Sequence, residues 1–271
     1  MLGKGRVLSL LGEIAGMVLL GSGAIRYVRS WLAPASGPGL LALRHAVEWG
    51  RPGLWGDDAR RPASVVLLRP GDDGLDAFGE GEPGLAVGWL ARRGESVTLL
   101  APEAWEAEVV AKVGAVDRRT VQTWTPTGPL RPPPPGIVAR KLHAPDADAF
   151  AASAPAWALR GWGSFAALIG HGAAFGVPHG EGFAALAWVF DQSRRHDALG
   201  VHTMPRYRRL GLGRAAATAL IAHVVRDRHK FPLWSTAPGH SASVGLARAL
   251  GLSVGGVQAL LQWPPGPGGS P

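Results

Sequence analysis

The chain has 271 residues, 46% apolar and 18% charged, with no cysteine and a formal net charge of +8. This length gives one large domain or two small ones with room for a sizeable core, and the apolar share excludes a chain disordered for want of hydrophobicity. The missing cysteine excludes a disulfide framework, a thiolate nucleophile and a thiolate-ligated zinc site.

The chain opens with Lys4 and Arg6 ahead of a mostly apolar run from Val7 to Leu20. Such a run has the general shape of a signal peptide or short membrane anchor. It is short for a span, however, and Glu13 in its middle is expensive in lipid. The segment therefore reads as an amphipathic first helix packed on the body of a soluble, cytoplasmic protein without firm membrane association. Further on, Ser64–Arg69 and Ser96–Leu100 are short β-branched runs bounded by turn residues, and predict strands. Pro102 suits the first turn of a helix through Trp105, Val109 and Val110, which Gly114 can end. Val116–Trp124 reads as another strand.

Thr125–Gly136 holds six prolines in twelve residues and predicts a stiff connector. The expected organisation is an α/β domain over 1–124, a linker over 125–136, a second domain over 137–263 and a disordered tail over 264–271. In the second domain Ile137–Leu142 predicts a strand and Pro145–Ile169 one or two Ala-rich helices. Ala173–Val177, Phe183–Phe190 and Ala198–Thr203 predict successive strands, with Pro178–Gly182 a turn. Gly213–His229 carries Ala217, Leu220, Ile221, Val224 and Val225 at helical spacing. Leu233–Thr236 predicts a strand, Ser241–Leu250 a helix ended by Gly251, and Val254–Trp263 an extended segment.

The charge is unevenly placed. Residues 1–135 carry 15 basic and 14 acidic side chains, whereas Arg194–Lys230 alone carries nine basic and two acidic. A focused positive field implies an anionic partner, either nucleic acid, a phosphorylated cofactor or an acidic surface. Within that window Arg208–Arg214 reads R-R-L-G-L-G-R between a strand and a long helix. Gly211 and Gly213 remove side chains where the backbone must turn tightly or approach a ligand. The unpaired amides of the first helical turn then favour an anion, and Arg208, Arg209 and Arg214 add formal charge. A pyrophosphate is the natural guest. Few aromatics interleave these arginines and the charge forms no long stripe, which argues against nucleic acid.

R-x-x-G-x-G over Arg208–Gly213, after V-H-T-M-P and before a long helix, resembles motif A of the GNAT acyltransferase superfamily. Leu233–Thr236, followed by Ser243, Leu246, Ala247, Leu250, Gly251 and Leu252, is similar to that family's strand five and helix four. The resemblance covers about Ile137 to Trp263. It implies a mixed central sheet with flanking helices, and an acyl-CoA-dependent transferase, most simply an N-acetyltransferase. The cosubstrate would be acetyl-CoA or another short acyl-CoA, the acceptor a small-molecule primary amine, with no metal and no nucleic acid. Arg208, Arg209, Leu210, Gly211, Leu212, Gly213 and Arg214 would cradle the pyrophosphate. Val201, His202 and Thr203 would offer main-chain groups to the pantetheine arm, with His240 and Ser243 facing the same cofactor. The acyl group would lie between strands Ala198–Thr203 and Leu233–Thr236, where the amine attacks it directly.

The chain departs from the family at Ala247, where a tyrosine acid is frequent, and at His240, where an asparagine is common. The first departure leaves room for an acyl-CoA sensor that does not turn over. No carboxylate lies in Phe183–Phe190, so the candidate bases are His202 and Asp197, with Glu181 a third. Histidine suits the role without an unusual shift. Tyr207 falls in the phosphate loop and reads as packing. Trp157, Trp162 and Phe165 fall where the family lines its acceptor pocket, although such spacing also suits a core. His171 and His179 lack a third ligand at metal spacing. The first half resembles, in architecture alone, the extra domain of two-domain acyltransferases similar to glycine N-acyltransferase.

Overall fold

A computed structural model of the chain describes residues 16–32, 38–71 and 74–264. The chain divides into two compact units, Met1–Thr120 with Gln258–Pro271, and Val121–Val257. Both are α/β units in which helices cover a central sheet.

The first unit contains β1 (Val18–Leu19), α1 (Ser22–Trp31), α2 (Pro38–Trp49), β2 (Leu54–Gly56), β3 (Ser64–Pro70), β4 (Leu75–Gly81), α3 (Pro83–Leu90), β5 (Val97–Leu100) and α4 (Ala104–Val113). Strands β1 to β4 pair antiparallel in sequence, and β5 adds parallel to β4. The strands Ser64–Arg69 and Ser96–Leu100 and the helix through Trp105 lie where the sequence puts them. Gly114 ends α4 with φ +82°, a left-handed turn that favours glycine. Of the expected Val7–Leu20 helix, residues 7–15 lie outside the described residues. Val18 and Leu19 form a strand, because they pair with Gly56 and Trp55. Among the described residues no helix is long and apolar enough to cross a membrane.

The second unit contains β6 (Asp117–Pro126, from Val121), β7 (Arg140–Lys141), α5 (Ala147–Ser153), α6 (Phe165–His171), β8 (Ala174–His179), β9 (Gly182–Gln192), β10 (His196–Thr203), α7 (Leu212–Arg226), β11 (Phe231–Thr236), α8 (Ser241–Leu250) and the start of β12 (Leu252–Trp263). Strands β7 to β10 form an antiparallel meander, β11 lies parallel to β10, and β6 is antiparallel to β11. β9 is the spine of the core. Seven consecutive side chains, Phe183–Val189, are at most 2% exposed between α7 on one face and α5 on the other. Ala217, Leu220, Ile221 and Val224 of the expected stripe bury one face of α7, whereas Val225, next to them in sequence, points off that face and is 47% exposed. Of the expected Ile137–Leu142 strand, Arg140 and Lys141 pair with β8, and the Leu142 N–H donates to the Ala174 carbonyl at 2.8 Å.

The boundaries differ from the sequence reading. The units divide at Thr120, and the Pro-rich stretch lies inside the second unit. From Gln258 the chain belongs to the first unit, since Leu260–Trp263 pair with Val97–Leu100 and bury Leu261 and Trp263 in its core. The tail from 265 lies outside the described residues.

Both units repeat one order: antiparallel strands, a helix, a parallel strand, another helix. They differ at the crossover. In the first, Glu82 alone links β4 to α3, with Pro83 opening the helix. Burial pushes the neighbouring Glu80 carboxyl above its usual value. In the second, residues 204–211 separate β10 from α7. Only the second crossover is long and basic.

Candidate active site

The crossover after β10 makes a single 3-10 turn, Pro205–Tyr207, and then the Arg/Gly loop. Arg208 Nε donates to the Thr203 carbonyl at 3.3 Å, which folds the loop back on the strand end. Arg209 has φ 67°, an unusual conformation for a side-chain-bearing residue. Gly211 has φ 80° and stands at the N-cap of α7. No side chain caps this helix and its first turn holds no acid. The leading amides therefore lack intrahelical acceptors and present a positive dipole end.

Both glycines are needed for space as well as rotation. A Cβ on Gly211 would fall 2.5 Å from Pro134 Cγ, and one on Gly213 would fall 2.6 Å from Thr203 Oγ1. The helix start is thus pressed against β10 on one side and the Pro-rich segment on the other.

β10 and β11 pair only through His196–Ala198 and Phe231–Leu233, and the register of β10 on β9 slips between Ala198 and Leu199. Past that point β11 pairs with β6 through Trp234–Thr236, while among the described residues Leu199–Thr203 have no strand partner on the β11 side. The open wedge continues into a cavity of about 960 Å³ in the second unit. All twelve residues expected to face the cofactor line it: Val201, His202, Thr203, the run Arg208–Arg214, His240 and Ser243. Ser243 Oγ also accepts from Trp234 Nε1 at 3.0 Å. Sequence reasoning missed Pro134, read as linker, and Trp234, read as an ordinary strand residue, although both line the cavity.

The candidate bases separate. His202 lines the cavity half-buried, and burial together with the Arg208 charge lowers its pKa below the ordinary histidine value. Asp197 is not among the residues lining the cavity. It is fully buried, with Arg228 Nε at 2.5 Å and Lys230 Nζ at 2.9 Å. Arg228 also donates to the His171 and Gly172 carbonyls and to Gln192. A carboxylate held by two cations at the closed end of the wedge serves as a clamp. Glu181 is exposed in the β8–β9 turn and is not among the residues lining the cavity. Tyr207, read as packing, lines the cavity with its ring 4.5 Å from that of His179. Ala247, on the inner face of α8, is fully buried.

Of the three aromatic candidates only Trp157 lines the cavity. Phe165 is buried, and Trp162, fully buried, donates to the Val189 carbonyl. Among the described residues no three His, Asp or Glu side chains lie together as metal ligands.

The His202 shift has a consequence for stability. Its folded pKa lies below its unfolded one, so the unfolded chain takes up the proton first as pH falls. Stability is lost from about pH 6.5 downward, until the folded imidazole also titrates. Melting curves between pH 8 and 5 should therefore fall more steeply for the wild type than for His202→Gln. Parallel curves would contradict the placement.

Residues 141–256 match the family model described as GNAT acetyltransferase. No curated protein matches the chain. Among solved structures, a GCN5-related N-acetyltransferase-like protein from Streptococcus suis aligns with a TM-score of 0.67 at 18% identity, covering 89% of this chain and 98% of that one. A GNAT-family acetyltransferase from Colwellia psychrerythraea aligns at 0.61 and 14% identity over 91% and 98% of the two chains. A tandem GNAT protein from the clavulanic acid biosynthesis pathway aligns at 0.62 and 15% identity over 94% and 99%. At these identities the likeness is one of fold, and it extends over both units.

Proposed function

We propose, taking residues 141–256 as a GNAT acetyltransferase domain, that the second unit transfers a short acyl group from coenzyme A to a primary amine. One observation carries this reading: an uncapped helix N-terminus, opened by Gly211 and Gly213, at the mouth of a wedge between β10 and β11. The residues present fit the cosubstrate. The leading amides of α7 and the side chains of Arg208, Arg209 and Arg214 suit its pyrophosphate. The unpaired edge of β10 over Val201–Thr203 suits its amide-bearing arm. When bound, coenzyme A supplies an activated thioester. The chain's own contribution is positioning, exclusion of water by Trp157 and Trp234, and His202 as the group that takes the amine's proton.

A second reading, an acyl-CoA sensor, rests on Ala247, whose buried position holds no proton donor. Thiol release from acetyl-CoA, followed with and without a panel of primary amines, separates the two. The transferase reading expects amine-dependent release. Coenzyme A binding with no release for any amine favours the sensor.

A further inference from the structure

The acceptor side of the cavity has a chemical character of its own. Side chains alternate along β10, so Gly200 and His202 share the face opposite Val201 and Thr203. The latter pair meets Gly213, which places α7 and the phosphate loop on their side. On the other face Trp188 packs on Gly200, where a Cβ would fall 2.7 Å from its ring. Trp157 packs on Trp188 with ring centroids 5.1 Å apart, and on Phe190 at 5.7 Å. Trp157 is thus a fixed aromatic wall of the cavity, on the His202 face.

The charge at the cavity is one-sided. Arg208, Arg209 and Arg214 line it, and among the described residues no Asp or Glu does. The nearest buried carboxylate of β10, Asp197, is already committed to Arg228 and Lys230. No carboxylate there would pair with an ammonium group.

We propose that the acceptor is an uncharged, weakly basic amine on an aromatic body, stacked on Trp157, and that polycationic amines are excluded. This deepens the transferase reading and rests on it. In the transfer the amine nitrogen bonds to the thioester carbonyl carbon, the carbon–sulfur bond breaks, and the nitrogen's proton passes by way of His202 to the departing thiolate. A nitrogen that is already neutral needs only that one proton removed. An α-amino group, with pKa about 8, is about one quarter neutral near pH 7.5, whereas an alkylamine of the lysine type, at about 10.4, is neutral in about one molecule in a thousand.

The test uses acetyl-CoA with phenylalaninamide and with spermidine. Phenylalaninamide is expected to show a kcat/KM at least about tenfold higher than spermidine. Trp157→Ala should raise the KM for phenylalaninamide by about three- to tenfold, the size of a lost ring contact, and leave the KM for acetyl-CoA unchanged. Trp157→Phe, which keeps a ring, should restore most of that loss. Preference for spermidine, acetylation of neither with acetyl-CoA bound, or an acceptor KM indifferent to Trp157 would each overturn the acceptor class. Failure to bind acetyl-CoA would instead overturn the transferase reading beneath it.

Discussion

Gly211→Asp is expected to fold and to lose about 100-fold or more in affinity for coenzyme A. Gly211 sits at φ 80°, where a side chain costs about 1–2 kcal/mol. Pro134 would also have to yield to the new Cβ. Against this, aspartate is a good N-cap and can accept from the amides that glycine leaves open, offsetting part of the cost. The same bonds would occupy the anion site and set a negative charge before it. Coenzyme A at about 100 times its wild-type Kd stabilises the wild type by about 2.7 kcal/mol, or about 5–10 °C. A 100-fold weaker variant would keep about 1 °C of that shift. A full shift in the variant would move the phosphate site away from α7.

Asp197→Asn should act on stability instead. Breaking a buried ion pair by removing one partner costs about 3–5 kcal/mol, and here two cations lose their partner. A drop of about 6–20 °C in Tm is expected. The acyl-transfer rate per folded molecule should stay at the wild-type level, because the carboxylate is not among the groups lining the cavity. A variant as stable as the wild type that has lost transfer would make Asp197 the base.

The contrast between these two positions shows what the sequence discloses. The Arg/Gly loop is legible because backbone chemistry is local: a glycine pair, flanking arginines and an apolar helical stripe all sit within about twenty residues. Val201, His202 and Thr203, which also line the cavity, are legible for the same reason. The burial of Asp197 is not legible, because its partners, Arg228 and Lys230, meet it only when α7 returns the chain to the sheet. Residue type alone cannot tell a clamp from a base. Trp157 and Trp162 make the same point, since five residues separate a cavity wall from a core tryptophan bonded to Val189.

The unit boundaries were hidden for a different reason. Proline content marks where a helix or central strand cannot form, but Pro134 is packed against Gly211 and belongs to the site. The last strand pairs with residues more than 150 positions earlier, a contact that no local pattern announces. The repeated strand–helix order of the first unit was equally obscured, because its crossover is reduced to Glu82 and keeps none of the loop's chemistry.

That difference makes calorimetric titration of the whole chain with coenzyme A the most direct measurement. The account predicts saturable binding of one coenzyme A per chain, lost in Gly211→Asp. It would be contradicted by no binding, or by two equivalents per chain, which would place an anion site on the acidic crossover of the first unit.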